Sequence, residues 1–172
     1  MKKIILLGYM GCGKSTIANI LSSNICIPYV DLDQKIEEIE KTSISSLFKV
    51  RGEIYFRKKE HEVFVALLES SHPLIIGLGG GTPCYANNHE LLQKDDVVSI
   101  YLKASIETLY ERLENNKHNR PLLADKEEDE LKEYIAKHLF DRSYYYNQAR
   151  HIITVDNKSI EQIVQDIKNI LT

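Results

Sequence analysis

The feature that most constrains this chain is a glycine-rich segment near its N-terminus, Gly8-Tyr9-Met10-Gly11-Cys12-Gly13-Lys14-Ser15. It fits the pattern G-x-x-x-x-G-K-[ST], directly after the apolar run Lys3–Leu7 and directly before a segment with helical periodicity. Glycines let backbone N–H groups turn inward around phosphate oxygens, and the N-terminus of the following helix adds partial positive charge. Lys14 can then reach the β- and γ-phosphates, and the Ser15 hydroxyl can ligate Mg²⁺. The segment predicts a nucleoside triphosphate site and leaves the phosphoryl acceptor open.

Short apolar runs alternate with helical segments along the rest of the chain. We predict strands at 3–7, 28–30, 74–78, 97–102 and 151–155, with helices between them. This order is typical of βαβ units with a parallel sheet, and no linker or repeat divides the 172 residues, so we expect one α/β domain. Ligands of open parallel sheets bind beyond the carboxyl ends of the strands. The polar and glycine residues at 8–15, 31–33 and 79–81 should therefore converge on one crevice.

Composition excludes several other classes of protein. Lys and Arg total 22 and Asp and Glu total 25, a net charge of −3, so no basic footprint for nucleic acid covers the domain. No apolar run approaches the ~18–20 residues that span a bilayer, and the N-terminal run is too short for a signal peptide. The three cysteines are too widely spaced for a disulfide framework or a zinc site. We expect a cytoplasmic protein that binds neither nucleic acid nor membranes.

Two carboxylates follow the second predicted strand, Asp31 and Asp33. With the spacing i, i+2, their side chains point the same way if the strand geometry persists. One carboxylate near Mg²⁺ and another near an acceptor hydroxyl would suit a kinase. Acidic residues after strands are also often helix N-caps, and the residues themselves give this alternative equal weight.

Arg57 and the glycine run are further candidates. Arg57 lies on a helical segment with Glu53 four residues before it and Glu60 three residues after it, a pattern that by itself favours an exposed, salt-bridged face. The crevice is expected at Gly79, Gly80 and Gly81. Because three consecutive glycines cost backbone entropy on folding, their presence suggests that a substrate approaches the main chain closely there. A merely tight connection is the alternative.

Three more arginines could face a nucleotide or an anionic acceptor. Arg120 lies in a polar, Asn-rich stretch, where a mobile loop could close over the γ-phosphate and expel water. Arg112 could stack on an adenine or could be a solvated helix residue, and Arg142 lies late in a long helix. The six histidines show no ligand spacing, and we interpret all of them as structural or surface residues.

Taken in order, these segments resemble the shikimate kinase family over essentially the whole chain. The resemblance rests on Gly8–Thr16, Asp31-Leu32-Asp33, Gly52-Glu53, Phe56-Arg57-Lys58-Lys59-Glu60, Gly79-Gly80-Gly81, Arg120-Pro121-Leu122-Leu123, and Arg142 with Tyr146. It implies a P-loop fold of the nucleoside monophosphate kinase type: a five-stranded parallel sheet flanked by helices, a substrate-binding helical segment at about 33–61 and a mobile lid at about 113–125. The implied reaction transfers the γ-phosphoryl group of ATP to the 3-hydroxyl of shikimate, with Mg²⁺, in aromatic amino-acid biosynthesis.

The resemblance also implies a role for individual residues. It assigns ATP binding to Gly11, Cys12, Gly13, Lys14, Ser15, Thr16, Arg112 and Arg120, and shikimate binding to Asp33, Arg57, Gly79, Gly80, Gly81 and Arg142. Lys14, Asp33 and Arg120 would be catalytic, with Asp33 the candidate base. Ser15 would ligate Mg²⁺ directly, and Asp31 would do so through water. Cys12 departs from the Ser or Ala expected in the loop.

Two other functions remain as alternatives. A gluconate kinase or nucleoside monophosphate kinase could share the fold, although the Phe-Arg-x-x-Glu and triple-glycine elements disfavour it. A regulatory nucleotide-binding module should lack a complete acceptor site, whereas Asp33, Arg57 and Arg142 are all present here. We expect a monomer.

Overall fold

The structure is a computed structural model that describes residues 2–116 and 123–172. In these residues five strands form one sheet: β1 (Lys3–Leu7), β2 (Tyr29–Asp31), β3 (Ile75–Gly77), β4 (Val97–Lys103) and β5 (His151–Thr154). The helices are α1 (Lys14–Ile25), α2 (Leu32–Glu40), α3 (Ile44–Arg51), α4 (Glu53–Glu69), α5 (Asn88–Leu91), α6 (Ile106–Glu114), α7 (Glu128–Tyr146) and α8 (Ile160–Leu171).

The sheet is parallel throughout, in the order β2-β3-β1-β4-β5. Every residue of the central strands β1 and β3 is buried, and so are the first six residues of β4. The edge strands β2 and β5 are partly accessible. Continuous apolar runs are the pattern of strands covered on both faces, so the prediction of a helix-flanked parallel sheet is confirmed.

Helix boundaries follow from local capping chemistry. Ser43, Ser105 and Ser159 each accept a hydrogen bond from the third backbone N–H of the helix they begin, and Ser159 forms the predicted capping box with Gln162. Gly52 separates α3 from α4 at φ 84°, a left-handed conformation that favours glycine. These caps fix where the helices of the predicted acceptor side begin and turn.

The sequence misses two short elements and some boundaries. A 3₁₀ turn at Thr82–Cys84 and the four-residue helix α5 follow the glycine run, and neither has enough residues to show a periodicity. Helix α2 begins at Leu32, directly after β2, because Asp31 caps it. The proposed lid at about 113–125 includes residues 117–122, which lie outside the described residues.

The order of the strands positions the site. β1 lies at the centre of the sheet and leads into the phosphate-binding loop, β2 leads into Asp31, and β3 leads into the glycine run. Because all three strands are parallel, their carboxyl ends open at the same edge. None of the helices in the described part of the chain is long and apolar enough to cross a membrane.

Candidate active site

The loop between β1 and α1 has the backbone geometry of a phosphate cradle. Gly11 and Gly13 adopt φ values of 85° and 98°, and Gly13 caps the N-terminus of α1 in a left-handed conformation. Such turns let successive backbone N–H groups converge on an anion at a helix N-terminus. Lys14 lies over the loop, where its Nζ donates to the carbonyl oxygens of Gly8 at 2.6 Å and Tyr9 at 3.2 Å.

A cavity of about 620 Å³ extends from this loop along the carboxyl edge of the sheet. Its lining includes most of the residues predicted for ATP, the predicted cation residue Asp31 and part of the predicted acceptor set: Gly11, Cys12, Gly13, Lys14, Ser15, Thr16, Arg112, Asp31, Asp33, Gly79 and Gly80. The other predicted acceptor residues, Arg57, Gly81 and Arg142, are not among the lining residues. In the structure the three segments therefore converge on one crevice, as predicted from the sequence.

Asp31 and Asp33 differ in their surroundings. Asp31 is the N-cap of α2: its Oδ1 accepts from the backbone N–H of Gln34 at 3.0 Å, and its Oδ2 accepts from the Tyr29 hydroxyl at 3.1 Å. The capping alternative is thus correct for Asp31. Asp33 lies in the first turn of α2 and lines the cavity. Burial, reinforced by the negative charges of Asp31 and Glu60, raises the pKa of Asp33 to about 6.

Each of the three consecutive glycines faces one predicted acceptor-side residue. A Cβ atom on Gly79 would lie 3.0 Å from Asp33 Oδ1, one on Gly80 would lie 3.0 Å from Arg142 Nη1, and one on Gly81 would lie 2.9 Å from Arg57 Nη2. A Cβ on Gly81 would force the Arg57 guanidinium to move, and one on Gly79 or Gly80 would shift its charged neighbour by a few tenths of an ångström. The run is therefore more than a tight connection: it brings Asp33, Arg142 and Arg57 against one stretch of backbone.

Arg57 belongs to a buried network and not to an exposed helix face. Its Nη1 donates to Glu60 Oε1 at 2.9 Å, and Glu60 Oε2 accepts from the Thr82 hydroxyl at 2.8 Å. The side chain of Arg57 is 18% exposed and that of Glu60 is 1% exposed, so the exposed-surface interpretation of this pair is wrong. The guanidinium also stacks over the Tyr85 ring, 3.8 Å from its centroid. Glu60 and Thr82 thus hold the Arg57 fork against Gly81.

Arg142 is held in place by its neighbours on α7 and on the phosphate-binding loop. It lies next to Tyr146, on which its charge acts, and the Tyr146 hydroxyl donates to the Gly80 carbonyl oxygen at 2.6 Å. Its guanidinium carbon lies 5.6 Å from the centroid of the Tyr9 ring. One turn earlier on α7, His138 Nδ1 lies 2.8 Å from the Tyr9 hydroxyl. The helix that carries Arg142 is therefore tied to both the glycine run and the phosphate-binding loop.

The remaining predicted residues divide into three cases. Arg112 lines the cavity, and its Nη1 donates to the Gly11 carbonyl oxygen at 3.2 Å, so it lies on the nucleotide side. Cys12 is 1% exposed, and its Sγ lies 3.7 Å from Lys14 Nζ. Arg120 lies outside the described residues.

The sequence analysis missed several residues of the site. The cavity is also lined by Lys158, just before α8, and by Ile160 and Ile163, within the first four residues of α8. They follow β5, so the rule that ligands bind beyond the carboxyl ends of strands could have found them. Tyr29 was also missed, because an aromatic residue in a short strand normally indicates only core packing.

The structure offers a divalent cation only a partial set of protein ligands. No group of three or more His, Cys, Asp or Glu side chains able to hold a metal occurs within residues 2–116 and 123–172. The Ser15 hydroxyl and the Asp31 carboxylate lie beside the phosphate cradle, and both are oxygen donors. Mg²⁺ in nucleotide sites takes few protein ligands and completes its shell with waters and phosphates, so these residues fit Mg²⁺ bound together with a nucleotide.

Comparison with known proteins agrees with this geometry. A family model described as shikimate kinase matches residues 10–172. A shikimate kinase from Flavobacterium johnsoniae is 64% identical over 171 residues, covering 99% of each chain. The crystal structure of a shikimate kinase from Bacteroides thetaiotaomicron superimposes with a TM-score of 0.91 at 34% identity, covering 99% of this chain and 98% of that one.

A second solved structure is that of a shikimate kinase from Acinetobacter baumannii in complex with shikimate. It has a TM-score of 0.85 at 28% identity and covers 99% of this chain and 93% of its own. The family model and the relatives match nearly the whole chain, and the phosphate cradle agrees with them. The chain belongs to the shikimate kinase family.

Proposed function

We propose that the cavity described above transfers the γ-phosphoryl group of ATP to the 3-hydroxyl of shikimate, with the chain's residues in the roles set out below. The observation that carries the proposal is the triple-glycine backbone, against which Asp33, Arg142 and Arg57 each pack at one glycine. Two guanidinium groups can bind the carboxylate of a small anionic polyol, and a carboxylate can bind its hydroxyls. These three groups lie beside a phosphate cradle.

On the nucleotide side, the loop amides and Lys14 bind the phosphates of ATP. Lys14 donates to loop carbonyl oxygens and can exchange these bonds for charge-assisted bonds to the β- and γ-phosphates. Ser15 directly, and Asp31 through water, hold Mg²⁺. Mg²⁺ held by these residues would neutralise the charge of the phosphates.

On the acceptor side, Arg57 and Arg142 bind the carboxylate of shikimate, and Asp33 binds its hydroxyl. A planar guanidinium gives a carboxylate two parallel hydrogen bonds, and the Arg57 fork is held in position by Glu60. The backbone of Gly79, Gly80 and Gly81 leaves room for the ring to approach closely. The substrate-binding segment at about 33–61 is thus the acceptor side of a single domain.

Asp33 receives or orients the proton of the attacking hydroxyl. With a pKa of about 6, Asp33 is mostly ionised at neutral pH, yet it is more basic than an ordinary aspartate. The hydroxyl oxygen bonds to the γ-phosphorus, the bond from that phosphorus to the β–γ bridging oxygen breaks, and ADP leaves with that oxygen. The hydroxyl proton passes to Asp33. A loose transition state develops its charge on the phosphoryl oxygens, where Lys14 and Arg120 stabilise it.

We further propose that the segment at about 113–125 is a lid that brings Arg120 over ATP, that Arg112 lies beside the nucleotide base, and that the enzyme works as a cytoplasmic monomer. The hydrogen bond from Arg112 Nη1 to the Gly11 carbonyl oxygen supports this role. Size-exclusion chromatography with light scattering tests the monomer, for which the chain mass is 19.8 kDa.

Coupled detection of ADP tests the proposed function. ADP formation should require both Mg²⁺ and shikimate, and gluconate or a nucleoside monophosphate in its place should give only background. ADP production that is the same with and without shikimate, or that is restored by gluconate, would contradict the assignment. Arg120→Ala should leave ADP affinity little changed and lower kcat strongly, because its contact matters most when charge spreads over the transferred group.

A further inference from the structure

The hydroxyl of Tyr29 connects the two residues to which the proposed function assigns Mg²⁺. It donates a hydrogen bond to Asp31 Oδ2 at 3.1 Å, and the Ser15 side chain lies close enough to act on the phenol group. Ser15 lies in the first turn of α1, whereas Asp31 is the last residue of β2. One phenol group therefore lies between the side chains of two elements, bonded to one and next to the other.

The fold makes specific room for this ring. Tyr29 and Asp31 are two residues apart on β2, so their side chains share one face of the sheet. In the neighbouring strand, Gly77 is paired with Asp31, and a Cβ on Gly77 would lie 2.8 Å from the Tyr29 hydroxyl and 3.1 Å from its ring. Glycine within a strand is destabilising relative to alanine. Its presence here is explained by the space that Tyr29 occupies.

The hydrogen bonds restrict the Asp31 carboxylate at both oxygens. Oδ1 accepts from the Gln34 N–H of α2 and Oδ2 from Tyr29, so the carboxylate plane cannot rotate without breaking one of them. Each oxygen keeps a second lone-pair direction available for a water molecule. The carboxylate is thereby held in one orientation while it stays able to bind a hydrated cation.

We propose that Tyr29 is a positioning residue for the divalent cation, holding the Asp31 carboxylate and the Ser15 hydroxyl at the separation that a nucleotide-bound Mg²⁺ requires. The inference rests on the proposed function, because Ser15 and Asp31 are its cation residues. Mg²⁺ requires near-ideal octahedral geometry. Residues that orient the ligands of a metal typically change its affinity by about 10–100-fold when removed.

Mn²⁺ provides a readout that does not depend on turnover. Electron paramagnetic resonance measures dissociation of Mn²⁺ from the complex with ADP and the protein, and calorimetry in EDTA measures metal-free ADP binding. Tyr29→Phe should weaken Mn²⁺ binding by about 10-fold and leave metal-free ADP affinity within about 2-fold, on the scale of lost orienting groups. Tyr55→Phe is the matched control: it removes a tyrosine hydroxyl that donates to a different carboxylate, Glu40. Its Mn²⁺ affinity should equal that of the wild type.

Gly77→Ala is a second route to the same outcome. The added methyl displaces the Tyr29 ring while keeping its hydroxyl, so Mn²⁺ affinity should fall as in Tyr29→Phe. In the double variant the two losses should not add, because both remove the same hydrogen bond. Additive losses would overturn the inference that Gly77 makes room for the Tyr29 hydroxyl, because Gly77→Ala would then disturb the site by another path.

Ser15→Ala separates failure of this inference from failure of the proposed function. If Ser15→Ala loses Mn²⁺ while Tyr29→Phe binds it like the wild type, Tyr29 does not position the cation and the proposed function stands. If Ser15→Ala also binds Mn²⁺ like the wild type, the cation site itself is misplaced and both proposals fall.

Discussion

The proposed nucleotide side and the proposed acceptor side of this site are built in opposite ways. The nucleotide side is one continuous loop, Gly8–Ser15, between one strand and one helix. The acceptor side is assembled from α2, α4, the glycine run and α7, which contribute Asp33, Arg57, Gly79–Gly81 and Arg142. A loop of backbone amides can be built locally, whereas a pocket for a carboxylate and a hydroxyl needs side chains that approach from several directions.

The two sides also differ in how their charges are balanced. Lys14 on the nucleotide side contacts only carbonyl oxygens and a thiol in the described residues, so its charge is available to phosphate. On the acceptor side Arg57 is already paired with the buried Glu60, and Asp33 lies near the charges of Asp31 and Glu60. The acceptor side is therefore organised before substrate arrives, and its charged groups affect both stability and chemistry.

Asp33→Asn should separate the two sides most strongly. The amide keeps the size of the side chain but cannot accept a proton, so kcat should fall by about 10²-fold or more, the range of a positioned base. ADP affinity should change little, because no phosphate-binding group is altered. Rapid-quench kinetics and calorimetry measure the two effects. A variant with nearly normal kcat would remove Asp33 from the chemistry.

Arg57→Lys should affect only the acceptor side. Lysine keeps the charge but loses the planar fork, so shikimate binding should weaken by roughly 1.5–3 kcal/mol, the contribution of hydrogen bonds to a charged group. ADP affinity should stay unchanged in calorimetry. Arg51→Lys is the control, since that arginine is exposed at the end of α3 and stacks on Tyr55. Equal losses for ADP and shikimate would show that the acceptor site is misplaced.

The pH profile should report the burial of Asp33. Its pKa is raised to about 6, and the ionised form is the active one, so kcat/KM should be flat above pH 7. Below pH 6 it should fall by about tenfold per pH unit as Asp33 is protonated. The residual rate of Asp33→Asn should lack this acidic limb. If the limb persists in the variant, another group is responsible for it.

The same contrast explains what the sequence could predict. The phosphate-binding loop and its flanks are identifiable from eight consecutive residues, because phosphate binding there depends on local backbone conformation. From the residues alone, Asp31 could be a cap or a cation residue, and Arg57 could be a surface charge. These alternatives depend on packing between distant segments: only the fold places Arg57 against Gly81 and Glu60 under Thr82. The resemblance to a family supplied that long-range information.

Cys12 shows the limit of local inference even within the loop. Its position at a helix N-terminus predicts a reactive thiolate. In the structure the side chain is 1% exposed, and its Sγ would lie 2.8 Å from a Cβ on Gly8. Access, which reactivity also requires, depends on how the loop packs on the core and not on the motif.

Asp33→Asn should also make the protein more stable at neutral pH. The pKa of Asp33 is about 6 in the folded chain and 3.8 ordinarily, so the folded state binds its proton more tightly and stability rises as pH falls from 7 towards 4. The ionised group therefore destabilises the fold above pH 6. Removing it should raise the free energy of unfolding at pH 7.5 by about 1–2 kcal/mol, less than the full linkage value because solvent reaches part of the carboxylate. Urea denaturation at pH 7.5 and 4.5 is the test, and a gain of equal size at both pH values would contradict it.

Tyr9→Phe should produce the smallest effect, because it breaks one hydrogen bond between the two sides. The Tyr9 hydroxyl meets His138 Nδ1 at 2.8 Å, and Tyr9 is 1% exposed. Burial and the positive charge of Arg142 lower the pKa of His138, so the imidazole is neutral at pH 7.5 and shares one hydrogen bond with the hydroxyl. Losing this bond should cost about 0.5–1.5 kcal/mol of stability in urea denaturation. Because α7 also carries Arg142, shikimate affinity should fall slightly while ADP affinity in EDTA stays the same.

His138→Phe should give the same loss, and the double variant should cost little more than either single variant if the two groups act as a pair. Losses that add fully would show that the phosphate-binding loop and α7 are stabilised independently, and that the two sides of the site are coupled only through their ligands.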